Sequence, residues 1–182
     1  MNPFDRLRIV LTILVTLAIW SLLAWQHVRD GIPAHHLFAD PELPRISNAF
    51  GGLLLPFLTW GLLSLARRRV VSTDAGLGSV VVGLVVGLAY GVALSVAYFS
   101  GHESIAGYLF YGVLALALFL PVHRPECLLG FVLGMTVGFG AILPALLGSI
   151  LALVAFVIHR LIGLPVQRLL GLRAGSAGKG VR

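Results

Sequence analysis

The sequence predicts an all-α integral membrane protein, a polytopic bundle of six transmembrane helices with both termini in the cytoplasm. Three observations carry that expectation. Apolar residues make up 58% of the 182-residue chain and charged residues 11%, with a mean hydropathy of +0.99; a soluble domain is about 25% charged and about half apolar. The apolar residues gather into runs near the ~20 residues that cross a hydrocarbon core as a helix. The basic residues fall between those runs, as the positive-inside rule requires. The net charge of +6 therefore belongs to membrane topology, and no soluble basic face for nucleic acid is formed.

The first span is residues 7–25. Arg6 and Arg8 flank its start, and no small-x-small cleavage pattern follows it, so it reads as a retained helix rather than a signal peptide. An external loop, 26–46, comes next. The second span, 47–66, ends at Arg67-Arg68-Arg69. The third is 77–99. The fourth, 104–122, ends at His123-Arg124-Pro125-Glu126. The next apolar run, 127–158, is too long for one ordinary span. Two short spans, 127–143 and 145–163, meeting at a tight turn around Ile142-Leu143-Pro144, fit it. One long helix kinked at Pro144 is the alternative and leaves five spans.

Charge chooses between the two. With six spans the inner side carries Arg6, Arg8, Arg67, Arg68, Arg69, Arg124, Arg160, Arg168, Arg173, Lys179 and Arg182, and the outer side only Arg29 and Arg45. With five spans the last five basic residues move outside and the asymmetry vanishes, so six spans are expected. Residues 1–163 then form the transmembrane domain. Residues 164–182 form a basic cytoplasmic tail that lies on the inner leaflet or is disordered.

Glycine sets the expected packing. Gly83, Gly87 and Gly91 repeat every four residues in the third span, and Gly130, Gly134 and Gly138 do so in the fifth. Residues four apart share a helix face, and glycine there lets another backbone come close. The two ladders are expected to pack within the chain; a homo-oligomer or membrane-protein partner on the same faces is the alternative. Pro56, in mid-span, removes a hydrogen bond to the Gly52 carbonyl and is expected to kink the second helix. Trp20, Trp25 and Trp60 read as interface anchors. Cys127 is the single cysteine, so neither an intrachain disulfide nor a multi-thiolate metal site forms.

No Asp, Glu, Lys, Arg or His falls at mid-depth in any span, which argues against a proton-driven pump. Polarity concentrates outside. The segments 26–46 and 100–103 hold His35, His36, Asp40, Glu42, His102 and Glu103 together with His27 and Asp30. Imidazole with carboxylate suits Zn, Cu, Ni or Fe, and the same groups, with His35, His36, Asp40 and Glu42 as the candidate catalytic set, suit acid–base chemistry at a membrane surface. No spacing there matches a known metal motif. Ser47 and Asn48 read as the N-cap of the second span. Asp40-Pro41 and Leu43-Pro44 favour extended, stiff backbone. His123 and His159 each precede an arginine and read as interfacial.

Three function classes follow: a binding or assembly subunit of a membrane complex, with an ordered external loop over a helical pocket; a membrane-embedded enzyme acting on a lipid or lipid-linked substrate through the external cluster, with or without a metal; and a small permease for a neutral or amphipathic solute. The first needs the least special chemistry. Short loops and the basic inner face fit a bacterial plasma membrane.

Overall fold

The computed structural model describes residues 2–29, 31–32, 34–36, 45–73 and 76–169. Six helices carry the fold: α1 (Pro3–Arg29), α2 (Gly51–Thr73), α3 (Leu77–Phe99), α4 (Glu103–Phe119), α5 (Pro125–Phe139) and α6 (Ile142–Ile158). The chain runs on from α6 through a π turn, His159–Gly163, into the short α7 (Leu164–Leu169). Four helical segments, Pro3–Arg29, Asn48–Thr73, Leu77–Phe99 and Ile142–Gln167, are long and apolar enough to cross a membrane, and two shorter apolar helices, Ser104–Phe119 and Pro125–Phe139, stand with them. The outer surface is apolar: Leu17, Phe57, Val82, Tyr108 and Leu153 are among many large side chains more than 60% exposed. A water-soluble chain avoids contiguous patches of this kind, so the protein is membrane-embedded.

Successive helices alternate in direction. Asp5 meets Arg67 while Leu23 meets Gly52, so α1 and α2 are antiparallel. Gly83 faces Glu126 and Gly91 faces Phe131, so α3 and α5 are parallel, with α4 as the return between them. Gly148 lies on Leu128 and Phe131, which sets α6 antiparallel to α5. The bundle thus has an arginine end, holding Asp5, Arg69, Glu126 and Gln167, and a hairpin end, holding the segment between α1 and α2.

The core follows the bundle axis in two clusters. One gathers Phe4, Leu62, Leu63, Ala66, Val80 and Leu129 toward the arginine end. The other gathers Ile19, Leu23, Leu55, Leu94, Val132 and Met135 toward the hairpin end. α5 contributes to both. It is only 15 residues long, about 22 Å at ~1.5 Å per residue, yet seven of its residues, including Glu126, are buried. A helix walled in by protein is not bound by the ~30 Å hydrocarbon thickness that fixes lipid-facing helices.

Several expected boundaries shift, each for a local reason. The break in the 127–158 run falls at Gly140-Ala141, not at Pro144. Gly140 has φ +72° and ψ −175°, a conformation essentially confined to glycine. Pro144 sits in the first turn of α6, where its missing N–H is an orphan donor in any case, so it begins the helix rather than kinking it. α2 stays helical through Pro56 and past the three arginines to Thr73. α1 continues through Gln26 and His27 to Arg29, so the segment between α1 and α2 begins four residues later than the expected 26–46. α4 stops at Phe119 because Leu120, before Pro121, is extended at φ −115°, ψ 141°, as a pre-proline residue tends to be. The start of the 164–182 tail is helical, in α7; 170–182 lie outside the described residues.

The segment between α1 and α2 contains a short β ladder. β1 (Ala34–His36) pairs antiparallel with β2 (Arg45–Ser47), setting Ala34 opposite Ser47, His35 opposite Ile46 and His36 opposite Arg45. Ser47 accepts the Ala49 N–H at 3.2 Å and caps the 3-10 turn Asn48–Phe50 that leads into α2. Asn48 is the first residue of that turn, and its side chain lies against Gly140, tying the start of α2 to the α5–α6 corner.

Candidate functional site

The closest approach in the molecule is the α3–α5 seam. A Cβ on Gly83 would stand 2.6 Å from Glu126 Cγ, and one on Gly87 or Gly91 would run into the carbonyl of Cys127 or Phe131. From the other side, a Cβ on Gly130 would stand 2.6 Å from the Leu88 nitrogen and one on Gly134 2.8 Å from that of Val92. Gly138 departs from the pattern and meets the Phe99 ring at the end of α3. A side chain at Gly87, Gly91, Gly130 or Gly134 would hold the two backbones apart, and one at Gly83 would displace the Glu126 side chain.

At the arginine end this seam carries a buried ion pair. The Glu126 side chain is fully buried, and the Arg69 guanidinium, 20% exposed, donates to its Oε1 at 2.5 Å. Arg69 also reaches Ser79 Oγ at 3.5 Å. Glu126 Oε2 has no hydrogen-bond partner among the described residues. Gly83 makes room for the carboxylate, since any side chain there would occupy its place. A second network lies beside it on α1 and α2: Arg67 pairs with Asp5 at 3.0 Å, Arg8 stands 3.5 Å from the same oxygen, and Arg8 donates to Ser64 Oγ at 3.2 Å while lying 4.0 Å over the Trp60 ring. Sequence reasoning treated these arginines only as topology markers. The signal for the Arg69 pair was Glu126 itself, an acid opening an apolar helix opposite a glycine ladder.

His123 and His159, expected at the interface as separate residues, come together instead, with ring centroids 5.4 Å apart. His159 is buried, and its Nδ1 lies 2.8 Å from the Ala117 carbonyl oxygen. Gln167 Nε2 donates to the Leu118 and Phe119 carbonyls at 2.9 and 3.1 Å. The last carbonyls of a helix lack intrahelical donors; here the π turn and α7 supply them. The π turn makes this fit, because its Gly163 packs directly against the Leu118 carbonyl and a wider turn re-aims the following residues. Burial, then the neighbouring His159 and Arg124, lower the pKa of His123 from its ordinary 6.5.

His35 and His36 lie on β1, at the mouth of the loop that the ladder closes. Asp40 and Glu42 lie outside the described residues. His102 precedes α4 and makes no side-chain cap; it borders an open groove between α3 and α4 lined by Val96, Ser100 and Ile105. Glu103 opens α4. Among the described residues no three His, Cys, Asp or Glu side chains come together as a metal would require.

The interior opening with the most distinct chemistry is a cavity of about 110 Å³ between α3, α4, α5 and α6, lined by Val86, Tyr90, Leu116, Phe131, Leu151 and Ala155 among others. It is walled by no carboxylate, arginine, lysine or histidine, and the Tyr90 hydroxyl is already donated to the Leu109 carbonyl. An apolar cavity of this order stays dry and takes apolar guests. Comparison with protein-family models, with curated proteins and with solved structures finds no match to this chain.

Proposed function

We propose that the chain is a six-span protein of a bacterial plasma membrane, with both termini cytoplasmic, that acts as a binding or assembly subunit of a membrane complex. Six apolar helices of alternating direction support the span count, and the basic residues at the arginine end support the orientation. The observation that carries the functional reading is the apolar cavity. Among the described residues, buried Glu126 and His159 are engaged with Arg69 and with backbone, so the cavity offers shape and apolar contact, which suits holding a hydrocarbon group better than acid–base chemistry or ion coupling.

The test fills the cavity. Ala152→Phe places a ring where Ala152 now lines it. Native mass spectrometry of the full chain in a mild detergent is expected to show a bound apolar molecule that the variant loses while keeping its helical circular dichroism. A wild-type chain that carries no such molecule after extraction from native membranes would overturn the binding reading.

A second reading, a lipid-directed enzyme with a His/Asp/Glu cluster, rests on the β ladder, which closes the loop containing Asp40 and Glu42 with His35 and His36 at its mouth. Near-stoichiometric Zn, Cu, Ni or Fe in purified protein, lost on changing His35, His36 and His102 to Ala, would favour it; metal-free protein after gentle purification would sink its metal-dependent form.

A further inference from the structure

We propose that a groove at the arginine end of α1 and α2 binds the phosphate headgroup of an anionic membrane lipid. The groove has a volume of about 550 Å³ and is lined by Arg8, Ser64, Arg67, Arg68, Val71 and Ser72. Three guanidinium groups therefore converge on one opening. Asp5 is the one described carboxylate that contacts them, and it pairs with Arg67 and Arg8. Arg68 is exposed and makes no ion pair among the described residues. The site keeps an excess of positive charge, with the Arg68 guanidinium exposed and unpaired among the described residues, and guanidinium forks match phosphate oxygens two at a time.

The shape of α2 favours a lipid over a soluble phosphate. Trp60, Ser64, Arg67, Arg68, Val71 and Ser72 follow the i, i+4, i+7, i+8 spacing of a single helix face. Extended toward the hairpin end, that face carries Phe57, 76% exposed, and Leu53, 62% exposed. The stripe thus passes from exposed apolar side chains, through an interfacial tryptophan stacked under Arg8, to the arginines. This is the polarity profile of an anionic phospholipid read from acyl chain to headgroup. A free phosphate would have no use for its apolar part.

The test uses the full chain in nanodiscs of equal phosphatidylglycerol and phosphatidylcholine, released for native mass spectrometry. Retained lipid is expected to be enriched in phosphatidylglycerol. Arg68→Gln, which breaks no ion pair or hydrogen bond among the described residues, should cut that enrichment about fivefold, since each basic residue near a membrane surface contributes attraction of about that factor. Arg160→Gln, an exposed arginine that does not line the groove, should leave it unchanged. Equal retention of the two lipids would overturn the proposal, and so would an equal loss from Arg160→Gln, which would mark a general surface-charge effect. Displacement of the bound lipid by millimolar inorganic phosphate would assign the groove to a soluble anion and overturn the lipid assignment.

Discussion

Substituting one seam glycine by alanine should destabilise the bundle, while the same substitution on α4 should stabilise it. A Cβ on Gly130 would stand 2.6 Å from the Leu88 nitrogen and nearer still to the Leu84 carbonyl, against the 3.4 Å at which ordinary contact begins. Backbone cannot rotate aside as a side chain would, so α3 and α5 must part by about 0.8 Å or more. A radial gap of about 0.5–1 Å forfeits a quarter to a half of each dispersion contact across it. Overpacking of this kind costs about 1–3 kcal/mol, and rigid backbone on both sides places Gly130→Ala and Gly87→Ala near the top of that range. The gain in helix propensity offsets about 1 kcal/mol of it. At Gly107 and Gly112 nothing lies within 4 Å, so alanine there should contribute the propensity gain alone. The seam and control variants should therefore differ by about 3 kcal/mol, roughly 6–12 °C in melting temperature for a chain of this size. Thermal circular dichroism in one fixed detergent is the appropriate assay, because the Cys127 thiol lies at the seam and would be a biased reporter. Melting temperatures for Gly87→Ala and Gly130→Ala equal to those of Gly107→Ala would show that close backbone approach does not hold α3 to α5.

Other perturbations report on the polar contacts. Glu126→Gln should cost about 3 kcal/mol, the low end for breaking a buried pair because Arg69 is 20% exposed, and the Arg69→Met/Glu126→Leu double variant should recover most of that; a double variant as unstable as the single one would refute the ion-pair account. Gln167→Ala should cost about 1–3 kcal/mol by stranding two α4 carbonyls, with a non-additive cycle against His159→Ala, and strict additivity would mean the two residues cap independently. His123 is held below its ordinary pKa of 6.5, so the fold favours the neutral ring. Its contribution is then fully present above that value and is lost as pH falls toward the lowered pKa. The acid limb of a melting-temperature profile below pH 6.5 should be shallower in His123→Leu, and an unchanged profile would assign the acid sensitivity to other groups.

How far the fold was legible depends on whether its signal is local. The apolar runs and the four-residue glycine spacing are periodic features, visible in any window of one helix. Ser47 is legible for the same reason: its hydroxyl answers a backbone N–H two residues on. The corner at Gly140 was not, because Pro144 is the stronger helix breaker in sequence while glycine's access to φ +72° decides the matter in space. The β ladder joins residues whose pairing depends on closing the 37–44 loop, and three-residue strands carry too little alternation to announce themselves. The carbonyl caps from His159 and Gln167 bridge 42 and 49 residues, and no sequence window contains both partners.

The arginine triplet shows most directly what three dimensions add to a composition signal. Read in sequence, Arg67-Arg68-Arg69 is one charge cluster that marks the inner end of a span. On a helix, consecutive residues lie about 100° apart, so the three cannot share a direction. Arg67 turns to α1 and pairs with Asp5, Arg69 turns to α5 and pairs with buried Glu126, and Arg68 between them faces outward into the groove. Two of the three charges thus fasten α2 to different neighbours, and only the third lines the groove without an ion pair among the described residues. Removal of Arg68 should therefore change lipid selectivity with little effect on melting temperature, whereas removal of Arg67 or Arg69 should lower melting temperature first. The reverse pattern, with Arg68→Gln the most destabilising of the three, would show that the division of labour among them is wrong.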